Sequence, residues 1–300
     1  MKKLFTTAVL FLAAYFICSF GVRATINRLG LGKTNPSRVA SRPTGVGTAR
    51  PVGMPGDPYA DFRSATYSNE GLISEKDEIR LGARLHVEIL KKFKLSQVGQ
   101  NRLNQIGQKV ARTSRRPQLP YRFFVIENRE INAFSGPGGY VYVTTAVMKL
   151  ANDDELAAVA AHEIGHIVAR HSLKSIQQSE QVSSLADWFG SVTGIAGKTA
   201  ENLGKAAASI VGNGLLAVHT REEEREADYL GVRCAKKAGY DPRGMIGMFR
   251  KLQQLSKDDA GILGSLFSDH PDVQERIDNT QYEIDRMKRD GGTSQVIVGT

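Results

Sequence analysis

Residues 162–166 read His-Glu-Ile-Gly-His, inside the otherwise mostly apolar run ELAAVAAHEIGHIVARHS that spans 155–172. Such neighbours point to a buried helix, and a buried helix excludes polar side chains unless they find partners, because an unpaired polar group costs kilocalories when it leaves water. On a helix His162 and His166 lie one turn apart, separated by about 40° around the axis, so two imidazoles can converge on one ion. Glu163 is one step on, able to address a water on that ion without replacing either histidine. This is the HExxH arrangement. A zinc ion held by nitrogen and oxygen needs a third protein ligand and one open position. The metal lowers the pKa of a water toward ~7 and the glutamate takes its proton.

The third ligand must come from elsewhere. In HTREEEREADYLG, residues 219–231, Glu224 and Asp228 are four apart and share a helix face. Glu222 and Glu223 point away, and Glu226 lies nearly opposite Glu224, as a solvated acidic stripe would. Glu224 as ligand, with Asp228 accepting from the outer nitrogen of a ligand imidazole, is a coherent division of labour. His219 is a candidate oxyanion donor. His86 reads as a surface residue and His171 as a helix-end residue. His270-Pro271 suits the start of a terminal helix, with Pro271 at its first position and Ser268 or Asp269 as cap. The other reading of His270 is regulatory or substrate-side, an imidazole that takes the open metal position and holds the site latent.

These side chains need elements to hold them. Ser74 before Glu75-Lys76-Asp77 marks a helix start, with Leu81, Leu85 and Ile89 following on one face. A second helix carries Leu103, Ile106 and Val110 and stops before Pro117. YRFFVIE (121–127) is a strand by its aromatic and β-branched content. INAFSGPGGYVYVTTAVM then reads as strand, Gly-rich turn and strand. Asn132, Ala133 and Phe134 form a candidate exposed edge on which an extended peptide could pair, the plainer reading being an ordinary hairpin edge. Asn152 with Glu155 is a capping pair for the HEIGH helix. Residues 172–216 are Ser-, Gly- and Ala-rich, with amphipathic pieces around Leu185, Trp188 and Phe189. After 221 come a helix, the turn AGYDP, a helix with Met245, Met248, Phe249 and Leu252 on one face, and a last helix from Pro271.

The net charge of +9 is unevenly placed. Lys2, Lys3 and Arg23 give residues 1–24 a charge of +3, and residues 25–58 carry +4, which leaves +2 for the remainder. The folded part therefore offers no basic footprint for nucleic acid. Residues 1–24 read as a signal peptide or N-terminal anchor: two lysines, an uncharged run from Leu4 to Phe20, then Val22-Arg23-Ala24 as a cleavage site. If residues 4–20 stay attached they would associate with a membrane. Residues 25–70 read as a basic disordered linker, 71–290 as one domain and 291–300 as a flexible tail. Cys234 is the one cysteine outside the signal, so the fold relies on no internal disulfide.

HEIGH, followed some 60 residues later by Arg221-x-x-Glu224-x-x-Ala227-Asp228, resembles metallopeptidase family forty-eight, the family of the CAAX prenyl protease, the HtpX heat-shock protease and the Oma-type mitochondrial protease. GLISEKDEIRLG, LPYRFFVIE, INAFSGPGGYVYVT and AGYDP are similar to its secreted bacterial BepA-type branch, over roughly residues 70–285. The resemblance implies one zinc per chain, with ligands His162, His166 and Glu224 and general base Glu163. It implies a zincin-like α+β fold. The expected form is a small antiparallel sheet, its edge strand beside the HExxH helix, and a mostly helical C-terminal half. The expected function is zinc-dependent endopeptidase action on envelope or misfolded proteins, in the periplasm or anchored facing it. An assembly factor or chaperone that uses the same cleft and cuts slowly is the alternative.

Overall fold

The computed structural model describes residues 56–67, 73–178, 207–212, 216, 219–258 and 273–293. Residues 1–55, the pieces around Leu185, Trp188 and Phe189, and His270-Pro271 lie outside the described residues.

The local start signals act as caps. A short helix α1 (Ala60–Arg63) precedes α2 (Glu75–Lys92), where the Ser74 hydroxyl accepts from the Asp77 amide and Leu81, Leu85 and Ile89 are buried. Helix α3 (Gln100–Ala111) buries Leu103, Ile106 and Val110. Strands β1 (Arg122–Ile126), β2 (Ala133–Gly136) and β3 (Tyr140–Thr144) follow, then α4 (Thr145–Leu150), capped by Thr144. The strand expected from Tyr140 ends at Thr144, whose side chain accepts from Val147 N–H and turns the chain into a helix.

The three strands pair in the order β1-β3-β2. β2 and β3 are antiparallel, joined through the Gly-rich turn, with Ala133 opposite Val143. β1 lies parallel to β3, Arg122 opposite Tyr140 and Ile126 opposite Thr144. The expected antiparallel sheet is thus corrected to a mixed one. A hairpin signal specifies only the two strands that the turn joins; β1 takes its direction from what packs around it. All five residues of β3 are buried, as in strands covered on both faces. Val141 and Val143 face a core built with α3 and the helix that follows α4, whereas Tyr140 and Tyr142 face Leu81, Leu85 and Ile89 of α2.

Helix α5 (Asp153–Ala169) carries HEIGH and is buried along nearly its whole length. Its capping box is complete: Glu155 N–H donates to Asn152 Oδ1 at 2.9 Å, and Asn152 N–H donates to Glu155 Oε2 at 2.8 Å. It ends at Arg170, the one non-glycine among the described residues with positive φ (59°), and α6 (His171–Gln178) begins directly after. Helices α7 (Arg221–Lys237), α8 (Gly244–Asp258) and α9 (Val273–Thr293) complete the described fold. Helix α9 runs into the segment expected as a flexible tail, reaching Thr293. Met245, Met248, Phe249 and Leu252 of α8 are buried.

Helix α7 crosses α5 at very short range. A Cβ placed on Gly165 would lie 2.8 Å from the Ala227 carbonyl oxygen, and one on Gly231 would lie 3.0 Å from the His162 amide nitrogen. Two glycines, one inside HEIGH and one in α7, therefore let the two backbones meet.

Candidate metal centre

That crossing sets α7 directly against the HEIGH face. His162 Nε2 and His166 Nε2 are 3.0 Å apart, with the ring planes near perpendicular at 81°. Glu224 lies within 3.4 Å of His162 Nε2 through Oε2 and within 3.3 Å of His166 Nε2 through Oε1. Three donors bound tetrahedrally at ~2.0–2.1 Å would stand roughly 3.3 Å from one another. The observed separations have that size, and two nitrogens with one carboxylate are the donor types a zinc-like ion takes, so the residues present fit a metal ion. Glu163 is buried beside His162 and lines the adjoining cleft.

The charges around the donors are organised. Asp228 Oδ1 lies 2.9 Å from His162 Nδ1. Arg276 of α9 reaches in as a fork: Nε donates to Asp228 Oδ2 at 2.8 Å, Nη2 to Asp228 Oδ1 at 2.8 Å, and Nη1 stands 2.9 Å from Glu224 Oε2. Burial disfavours a charged His162, but the Glu224 and Asp228 carboxylates outweigh it and push the imidazole up to about 10. Burial, joined by the neighbouring His219, holds His166 well below the ordinary histidine range. Burial also works against an ionised Asp228, and Arg276 overcomes it, so that its carboxyl sits below the usual range. Two buried carboxylates facing two imidazoles make a pocket that favours cationic charge.

An open cleft adjoins His162 and Glu163. Its apolar wall comes from Ala158 and Val159 of α5 and Met245, Met248, Phe249 and Leu252 of α8. Asn132 and Ala133 line it where the chain enters β2, one of the two edge strands of the described sheet. Phe134 turns the other way and packs on Tyr142 and Phe93, with ring centroids 4.8 and 6.0 Å away, so the pleat divides the expected strand residues between two faces. His219 stacks over the His166 ring at 3.9 Å and is not among the residues that line the cleft.

Other assignments change. Glu222 is exposed as expected, and Glu223 caps α7 with Thr220. Glu226, expected on a solvated stripe, is half-buried and bonded to Tyr67 and His171. His86, expected at the surface, is half-buried and bonds Tyr142 Oη at 2.8 Å. Arg276, five residues past the His270-Pro271 pair, carries no local sequence signal, because its role depends on where α9 docks.

The family model of peptidase family M48 matches residues 97–284. The chain belongs to that family. The matched region contains all three candidate donors. The chain is 28% identical to the beta-barrel assembly-enhancing protease of Escherichia coli (strain K12) over 192 residues, 62% of this chain and 39% of that protein. It is 30% identical to metalloprotease YcaL of the same organism over 166 residues, covering 55% of this chain and 63% of that one. It is 28% identical to the mitochondrial metalloendopeptidase OMA1 of Schizosaccharomyces pombe over 176 residues, 58% of this chain and 50% of that protein. The match thus spans between about two fifths and somewhat under two thirds of these relatives. No helix among the described residues is long and apolar enough to cross a membrane.

Proposed function

We propose that this family M48 chain is a zinc-dependent endopeptidase, holding one zinc through His162, His166 and Glu224 and acting on extended segments of envelope or misfolded proteins. The observation that carries the reading is the donor triangle of 3.0–3.4 Å with Glu163 buried at its side and facing a cleft. Zinc held there would supply a Lewis acid and lower the pKa of a water to about 7. Glu163 takes a proton from the attacking water and passes it to the leaving nitrogen, which sets the reaction as hydrolysis. The backbone of Ala133, on the edge strand β2, pairs with an extended substrate and leaves its side chains free to vary, while Asn132, whose N–H and carbonyl already bond Thr144, borders the cleft. The apolar wall from α8 receives a large side chain near the scissile bond. Asp228 holds the His162 ring, and Arg276 holds Asp228. The sequence of residues 1–24 supports export, either cleaved or kept as an anchor. A client-binding protein that does not cut would have no use for Glu163 beside a complete donor set.

The test is zinc analysis together with casein cleavage for wild type, Glu163→Gln and His166→Ala. Glu163→Gln should keep about one zinc and lose cleavage by ~10² or more. His166→Ala should lose the metal. Full zinc occupancy in His166→Ala, or unchanged proteolysis in Glu163→Gln, would defeat the reading.

A further inference from the structure

His162 and His166 have different support. The outer nitrogen of His162 meets a carboxylate directly, Asp228 Oδ1 at 2.9 Å. The outer nitrogen of His166 meets another imidazole, with His171 Nδ1 2.8 Å from His166 Nδ1. His171 is fully buried, and its Nε2 lies 3.1 Å from Glu226 Oε2. The other oxygen of Glu226 accepts from the Tyr67 hydroxyl at 2.8 Å.

The direction of these bonds follows from the chemistry of each group. If His166 Nε2 holds a metal, its proton must sit on Nδ1, because a neutral imidazole carries one N–H. His171 Nδ1 must then accept, which puts the His171 proton on Nε2. That N–H points at the Glu226 carboxylate, which can only accept when ionised. Tyr67 donates to the remaining oxygen. Every hydrogen in the chain has one place, and each step fixes the next.

We infer that His171, Glu226 and Tyr67 form a positioning chain that locks His166 in its metal-binding tautomer, with His171 relaying a carboxylate that does not itself reach the ligand. The inference rests on His166 being a metal ligand as proposed above. The chain exists because α5 stops at Arg170. Had the helix continued, His171 would lie far around the axis from His166. The left-handed residue at φ 59° starts α6 afresh and swings the His171 ring back beside His166, with ring centroids 5.0 Å apart. His166, His171 and His219 also stand close enough to suggest a second metal triad. The 2.8 Å contact of His166 Nδ1 with His171 Nδ1 fits a shared proton instead, since a second ion on that nitrogen would require a His166 already bound through Nε2 to lose its one remaining N–H.

The experiment uses the full chain. Zinc stoichiometry, zinc affinity by competition with a chelator, and the visible spectrum of the cobalt(II)-substituted protein are measured for wild type, His166→Ala, His171→Ala, His171→Asn and Glu226→Gln. Wild type should bind one zinc and His166→Ala none. His171→Ala should weaken zinc by about 10–100-fold and change the cobalt spectrum, as removal of an outer partner does. His171→Asn places an amide oxygen where Nδ1 stood and should recover most of that loss. Glu226→Gln should fall between the two, and it serves as the test if His171→Ala does not fold. A purely structural role would lower the melting temperature of zinc-free His171→Ala and His171→Asn alike and leave zinc affinity and the cobalt spectrum unchanged; that result overturns the inference. A second zinc lost on replacing His171 also overturns it. If wild type binds no zinc, or His166→Ala keeps it, the metal-centre reading falls and this inference falls with it. If only the His171 and Glu226 variants behave as wild type, the metal centre stands and the relay alone is refuted.

Discussion

Gly165 is the residue of HEIGH with no side chain to offer, and replacing it by alanine separates backbone packing from ligand chemistry. The new Cβ would sit 2.8 Å from the Ala227 carbonyl oxygen and 2.9 Å from Ala227 Cα, both backbone atoms that cannot swing aside. Ordinary contact begins near 3.4 Å, so α7 must retreat by about half an ångström. Ala227 precedes Asp228 and follows Glu224 by three residues, so both carboxylates move with it. The Glu224 oxygens, now 3.3–3.4 Å from the two Nε2 atoms, would move to nearly 4 Å, outside the roughly 3.3 Å spacing of tetrahedral donors. Overpacking costs about 1–3 kcal/mol. Exchanging glycine for alanine within a helix returns about 1 kcal/mol. The net loss of fold stability is therefore about 0–2 kcal/mol, a fall of at most about 8 °C in melting temperature for a domain of this size. Zinc affinity should fall by ~10-fold or more, as when a ligand's support is disturbed. Calorimetric melting and chelator competition on the same preparation give both quantities. Gly231→Ala, with its closest approach at 3.0 Å, should show the same pattern more weakly. If Gly165→Ala melts higher than wild type and binds zinc within twofold of it, the crossing has slack and the close approach does not place Glu224.

Arg276→Met should leave Glu224 and Asp228 with only the His162 imidazole as a counter-charge, destabilising the zinc-free protein by about 3–5 kcal/mol. Added zinc should restore much of that loss, so a melting temperature equally depressed with and without metal would contradict the assignment. Asp228→Ala should weaken zinc by about 10–100-fold while His162, His166 and Glu224 remain, measured by chelator competition. Unaltered affinity would reduce Asp228 to packing. Val159→Trp should fill the cleft one turn before Glu163, keep the zinc, and lower kcat/KM about 10-fold or more for peptides with a large apolar residue near the cut. An unchanged peptide preference would place the substrate elsewhere.

The sequence by itself determined what lies within one helix or one turn. The capping box at Asn152, the apolar neighbours and the four-residue spacing put His162 and His166 on one face of a buried helix, since a helix repeats every 3.6 residues wherever it sits. Ser74 marks a helix start for the same reason: a side chain and the amide it serves are three residues apart. Spacing also separated Glu224 and Asp228 from Glu222, which is exposed. Only the tertiary structure decided the rest. The direction of β1 depends on layers packed from both sides, the place of Arg276 on where α9 docks, and the closeness of α7 on two glycines 66 residues apart. His171 shows the boundary most clearly. Its sequence neighbours describe a helix end, but one left-handed residue at Arg170 turns the chain and brings its ring against His166. A single φ value at a helix terminus is set by what surrounds the corner, here the Arg170 guanidinium held 3.1 Å from the buried Glu78 of α2, and that partner lies 92 residues away in the chain.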